Sequence, residues 1–299
     1  MKISYWMQIA NLSTSAALEL DETAYLRLLD ARDVLRDLNA FEERYEILLS
    51  NYRDFEIYCA QQSLISALGS DQSYHVAYGV LGEANRLFMN FMTSHTSYVD
   101  QVVQDFRTVD LGETLKDAGI NASVSFEHIA KQELRRVYDA SKDYRAICAL
   151  RNHAQHSAAP IHKIDSIGDA CWAECLTFHS LKKVLSQNRR FKKLVLSEMD
   201  ESLDIRRVCK RVIERMSATH IRLRDMVRPY CEQARTEIEQ AHAAMARAVQ
   251  EDERVYALWL CAQNEGSDHV ERATLMLQWD DARRLLQEKN RRPIRPIRS

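Results

Sequence analysis

Residues 149–164, ALRNHAQHSAAPIHKI, put an arginine, an asparagine and three histidines into otherwise ordinary charged, helix-forming sequence. These residue types suit the cutting of a phosphodiester without a metal. An imidazole titrates close to neutral pH, so His156 can take the proton from a ribose 2′-hydroxyl or give one to the departing 5′-oxygen. The guanidinium of Arg151 offers forked donors to the charge that grows on the phosphoryl oxygens. Asn152 can fix the phosphate or orient the ring. One histidine does not easily serve as acid and base at once, so a second has to come from nearby or from another copy of the chain. On an ideal helix Arg151 and His156, five apart, diverge by roughly 140°, whereas Asn152 and His156, four apart, share a face.

His153 and Gln155 lie inside the same run and are candidates for supporting or substrate-binding roles. Asn90 and Ser94 fall on the preceding expected helix and can approach Arg151 in a bundle. The same residues also read as a polar helix end, or as a surface that binds RNA or a nucleotide without cutting it. No metal is expected: His153, His156, His162 and Asp165 do not follow a recognised ligand spacing. Cys171 and Cys175 share a helical face but lack a second ligand pair, and read as core packing. No glycine-rich phosphate loop, Ser-His-Asp arrangement or dinucleotide fingerprint is present, so no cofactor is expected.

The elements that must position these residues read as helices. Seven glycines and four prolines in 299 residues are too few for many short strands, so the expected class is all-α. Asp21-Glu-Thr opens a helix with Leu26, Leu29, Val34, Leu38, Phe41, Tyr45 and Leu48 at helical spacing. It continues to Leu68, with a break near Asn51. A loop over 69–73 leads to a second helix from about Tyr74 to Arg107. After a connection containing Gly112, Gly119 and Asn121, Ser123 or Ser125 caps a helix carrying Phe126, Ile129, Leu134, Val137, Tyr144, Ile147 and Leu150 toward the motif. That helix ends before Pro160. Further helices are expected from Gly168-Asp169 to Ser186, from about 200 with an interruption at Pro229, over 232–263, and after a Gly266-Ser-Asp cap to Lys289. The parts are an N-terminal helical segment (1–70), a motif-bearing bundle (71–190), a C-terminal helical extension (191–290) and a basic tail (291–299), the tail read as a disordered end.

The net charge of −2 excludes a uniformly basic nucleic-acid binder but hides an uneven distribution. Residues 1–60 carry six Lys/Arg against eleven Asp/Glu, and residues 182–228 carry fourteen against six. Positive charge is thus concentrated just after the motif, where it can attract phosphate; the alternative is a set of solvated helix faces. An odd number of cysteines, seven, fits a reducing cytoplasm rather than a disulfide framework. Neither a signal peptide nor an apolar run of membrane-spanning length is read, so no membrane partner is expected.

The run Arg151-Asn152-His153-Ala154-Gln155-His156 resembles the Arg-x(4–6)-His motif of the HEPN superfamily, in the form with a polar residue directly after the arginine. With Tyr138-Asp139 and Tyr144-Arg145 before it, LRNHAQHSAAPIH is similar to a bacterial HEPN-like group with an LRNxxQHxxxP pattern. NRLFMNFMTSHTSYVD, residues 85–100, is similar to that group's preceding helix, and the resemblance spans about residues 74–185. It implies a bundle of four or five helices that forms a homodimer with the two motifs facing each other. It also implies metal-independent endoribonuclease activity in a toxin–antitoxin, antiviral defence or RNA-processing setting, with RNA as substrate and an inhibitory or regulatory protein as a further partner. Arg151 and His156 would be the catalytic pair and Asn152 their polar helper, and the facing copy would supply the second histidine. His153 stands where the pattern usually carries an aromatic residue, and the stretch to residue 290 lies outside the minimal domain. Some members of the superfamily keep the fold and bind nucleotides or partners without cutting.

Overall fold

The computed structural model describes residues 3–10, 16–69, 73–106, 109, 111, 124–168, 174–249 and 257–294. In chain order the elements are β1 (Ile3–Ile9), β2 (Ala17–Leu20), α1 (Glu22–Ala67), α2 (Tyr74–Val102), α3 (Phe126–Asp139), α4 (Lys142–His156), β3 (Lys163–Gly168) and β4 (Glu174–Leu181). They continue with α5 (Lys182–Leu185), α6 (Lys193–Glu198), β5 (Ser202–Asp204), α7 (Ile205–Ala248), β6 (Leu258–Asn264), β7 (Val270–Leu275) and α8 (Leu277–Lys289). The expected all-α class is overturned. Helices dominate, but antiparallel sheets of four and three strands make this an α+β protein.

The chain forms two compact units, each assembled from separated stretches. The first comprises residues 1–43, 104–128 and 223–291. Its sheet runs β2-β1-β6-β7, with Ile3 opposite Asn264 and Ile9 opposite Leu258. Met7 and Ile9 of β1 alternate into the interior, the period-2 signature of a half-buried strand, and face Leu260 and Leu258 of β6, where Cys261 and Ala262 are buried as well. Phe41, Phe106 and Phe126 pack edge to face, with centroids 4.9–6.3 Å apart. Phe106 takes a left-handed backbone (φ 53°), and its N–H donates to Asp37 Oδ2 at 3.0 Å. Glu42, fully buried, accepts both Nε and Nη2 of Arg224 at 2.7 Å and the amide of Gln287 at 2.9 Å. These bonds satisfy a carboxylate that burial alone would penalise heavily.

The second unit comprises residues 44–103, 129–222 and 292–299 and holds the three-stranded sheet β3-β4-β5. Phe55, Phe88, Phe91, Phe178, Ile147, Leu150, Val212 and Ile213 fill its core. A polar seam is fully paired within that core. Tyr45 stacks on His220 (3.8 Å) and donates to Ser217 (2.7 Å), and Tyr98 bonds His220 Nδ1 (2.9 Å). Ser217 Oγ also accepts the N–H of Ile294, which ties that residue of the tail read as a disordered end to the core; 295–299 lie outside the described residues.

Local expectations were corrected in several places. Within the helix expected from Gly168 to Ser186, residues 174–181 form β4, paired antiparallel with β3, followed by the single turn of α5; 169–173 lie outside the described residues. The helix expected over 232–263 ends at Ala248, and β6 begins at Leu258. Gly266 makes a hairpin turn with φ 82° between β6 and β7 instead of capping a helix, and α8 starts at Leu277. Neither Asn51 nor Pro229 interrupts its helix, and Asn51 bonds the carbonyl of Ile47 within α1. The second helix ends at Val102. The single helix expected ahead of the motif is two, because Ser141 stops α3 and caps α4 by accepting the N–H of Tyr144. Ser125 Oγ accepts the N–H of His128 at the start of α3. Ser123, Gly112, Gly119, Asn121 and Cys171 lie outside the described residues, as does the side chain of Cys175.

Candidate functional site

The motif occupies the last two turns of α4, inside the second unit. Arg145 anchors the helix earlier on, pairing with both carboxylate oxygens of Glu198 at 2.9 and 3.0 Å and donating to the carbonyls of Tyr138 and Asp139. Asn85 of α2 holds the segment that leaves α4. Its amide donates to the carbonyl of Ile161 (3.1 Å) and accepts the N–H of Ile161 (2.9 Å), a two-pronged clamp on one buried residue. Ser180 adds a hydrogen bond to the carbonyl of Pro160.

Within the motif the side chains divide between interior and surface. Asn152, Gln155 and His156 are exposed, Arg151 is half-buried and His153 is buried. Arg151 Nη1 donates to Asn152 Oδ1 at 3.3 Å, while its Nε is shielded from solvent. The helix stays regular to His156, so Arg151 and His156 leave it on faces roughly 140° apart. A single copy therefore joins Arg151 with Asn152 and leaves the imidazole of His156 facing solvent elsewhere. Asn90 is exposed on α2, and the Ser94 hydroxyl bonds the carbonyl of Phe91 in its own helix.

His153 is fixed by residues that the sequence reading missed. Asn188 donates to His153 Nδ1 and to Ser157 Oγ, both at 2.9 Å, and Phe191 packs its ring edge-on against the imidazole. Asn188 Oδ1 accepts the N–H of Arg190, which settles the amide's orientation and assigns the His153 proton to Nε2. Burial pushes the His153 pKa below its ordinary value, so the ring is neutral. His162 is lowered for the same reason, with a contribution from His153, and its Nδ1 accepts the N–H of Leu181. Both rings thus act as structural acceptors. His153 packs edge to face against Phe191 as an aromatic ring does.

Asn188 and Phe191 belong to the stretch KKVLSQNRRFKK, residues 182–193, which holds six cations and no carboxylate. The contacts of Asn188 and Phe191 seat this stretch on the end of α4. Lys183, Arg189, Arg190, Lys192 and Lys193 are all exposed, and among the described residues none pairs with a carboxylate. Most arginines elsewhere are paired, including Arg145, Arg206, Arg222, Arg224 and Arg235. Lys192 and Arg151 both lie close enough to Cys148 to pull its thiol down, although burial wins and raises it to about 11. Arg151 and Lys192 therefore contribute to one positive field at the end of α4. The sequence signal was the charge run itself; its seating against the motif depends on a pairing between residues 153 and 188 that no local pattern shows.

Among the described residues no group of three or more histidine, cysteine, aspartate or glutamate side chains is arranged to hold a metal ion. No described helix is long and apolar enough to cross a membrane. Comparison with models of protein families, with curated proteins and with solved structures finds no match.

Proposed function

We propose that this chain binds RNA at the end of α4 and cleaves it as a metal-independent, HEPN-type endoribonuclease that works as a pair of copies. The observation that carries the reading is the set of five exposed cations without carboxylate partners, seated by Asn188 and Phe191 against the Arg151–His156 turn. Unpaired lysines and arginines on one surface bind a phosphate backbone by displacing its counterions. Arg151, steadied by Asn152, meets the phosphoryl oxygens, and His156 moves the proton. The ribose 2′-oxygen attacks phosphorus, the 5′-oxygen leaves with a proton, and the products carry a 2′,3′-cyclic phosphate and a 5′-hydroxyl. One imidazole does not serve as acid and base at once, so the reaction draws its acid and its base from two copies. Such an activity suits a toxin or defence effector held in check by a protein partner.

The decisive experiment incubates the full chain with mixed RNA in the presence of chelator, beside Arg151→Ala and His156→Ala. The proposal expects cyclic-phosphate ends from the parent and at least a hundredfold loss in each variant, consistent with the usual contribution of general acid–base catalysis. Cutting that is unchanged in His156→Ala refutes the assignment. The divergence of Arg151 and His156 favours a second reading, binding without cutting. Under that reading no variant cleaves, and replacing Arg189, Arg190, Lys192 and Lys193 by alanine abolishes a salt-sensitive affinity for RNA.

A further inference from the structure

The helical hairpin made by the end of α1 and the start of α2, within the second unit, presents apolar side chains to solvent. Leu68 is 77% exposed, Tyr74 76%, Tyr78 67% and Leu64 61%, joined by Ile57, Ile65 and Val76. Every residue from Tyr74 to Gly79 is exposed, so the first turns of α2 have no covered face. A helix of this composition normally buries one side. Charge is nearly absent. From Ile57 to Gly82 the sequence holds one carboxylate, Asp71, and no lysine or arginine, in a chain where 28% of residues are charged.

Gly79 and Gly82 stand inside α2, where glycine is disfavoured relative to alanine. A Cβ at either position meets nothing within 4 Å, so packing inside the chain does not explain them. The Tyr74 and Tyr78 rings have centroids 6.2 Å apart. Tyr74, Tyr78 and Gly82 follow one another at four-residue intervals and so form a single row along the helix.

We propose that this hairpin tip is the contact surface for a second copy of the chain, paired about a two-fold axis that crosses α2 near Tyr78. Such an axis sets Tyr74 of each copy over Gly82 of the other, which meets the requirement that a two-fold interface complement itself. With one carboxylate and no lysine or arginine between residues 57 and 82, the surface brings little like-charge conflict when it meets its own image. Val76 leaves α2 on the side opposite the Tyr74–Tyr78 row; the exposed parts of the other six apolar side chains come to roughly 550 Å² per copy, or about 1,100 Å² in a pair, using typical side-chain areas. This exceeds the roughly 1,000 Å² that a specific protein–protein interface should clear. The pairing holds whether or not the protein cuts RNA, and so goes beyond the preceding proposal.

Sedimentation velocity on the full chain up to about 100 μM reads the outcome directly. The expected result is a dimer whose dissociation constant rises at least a hundredfold in Tyr74→Glu/Tyr78→Glu and in Gly82→Leu. Both variants alter exposed or uncrowded positions, so circular dichroism stays that of the parent, as does the melting temperature at a dilution where the parent is itself dissociated. A parent that is monomeric throughout overturns the proposal, whether it stays free or sediments with phosphatidylcholine vesicles through this tip. A dimer whose affinity neither variant changes places the contact elsewhere and overturns it equally.

Discussion

Replacing Asn85 by alanine removes the two-pronged clamp on Ile161 and leaves that residue's buried N–H and C=O without partners. An unsatisfied buried group costs about 1–3 kcal/mol, and some water enters the space, so the expected loss is roughly 2–4 kcal/mol. For a domain of about 150–250 residues each kilocalorie lowers the melting temperature by about 2–4 °C, giving a fall on the order of 10 °C. Urea unfolding measures the loss. Hydrogen exchange at the Ile161 amide localises it. Asn85→Asp keeps an acceptor for the Ile161 N–H but turns a carboxylate toward the carbonyls of Leu81 and Ile161. It is therefore less stable than the alanine variant at neutral pH and recovers on acidification, when the protonated carboxyl regains a donor. On the proposed function, RNA binding and cleavage would fall together in both variants, because the exit of α4 is no longer held. A loss below about 0.5 kcal/mol, with the Ile161 amide still protected, shows that the clamp does not set the position of the motif.

Two further expectations concern buried charge. Glu42→Ala strands the buried guanidinium of Arg224 and is expected to cost about 3–5 kcal/mol, read from the urea midpoint; a change under about 1 kcal/mol contradicts the account. His95, fully buried between Phe91 and Tyr144, has its pKa lowered to about 4 by burial, against 6.5 for the unfolded ring. Below pH 6.5 the unfolded chain binds a proton that the folded chain refuses, so stability drains away as pH falls toward 4, by about 3 kcal/mol from this residue. His95→Phe should lack that component, and identical pH slopes for parent and variant would show that the ring is not buried neutral.

The helices that carry the motif were legible because their apolar residues recur at helical spacing: Phe41, Tyr45 and Leu48 in α1, Phe88 and Phe91 in α2, Ile147 and Leu150 in α4 are all buried. The strands were not. Scarce glycine and proline argue against many short strands, yet seven strands need few turns when helices separate half of the successive pairs. Gly266 signalled the β6–β7 hairpin through Asn264-Glu-Gly-Ser, between LWLCAQ and VERATL. That signal also suits a helix end, and the apolar run of β6 does not by itself separate a buried strand from a buried helix. At the site, residue types suggested phosphate chemistry, but whether a histidine faces solvent or core depends on distant partners. Asn188 and Phe191 turn His153 inward, and Asn85 fixes the chain beyond His156.

The four-stranded sheet has its first strand in the middle. β1 bonds β2 along one edge and β6 along the other, and the second pairing forms only once residues 258–264 are available. Until then Met7 and Ile9 have no sheet to complete, and a chain lacking β1 leaves Leu258 and Leu260 on a strand with a bare flank open to aggregation. Loop-closure entropy makes so distant a pairing slow relative to the helices. The first unit accordingly matures late, and an assay of freshly synthesised protein should find protease-sensitive β1 long after α1 is protected.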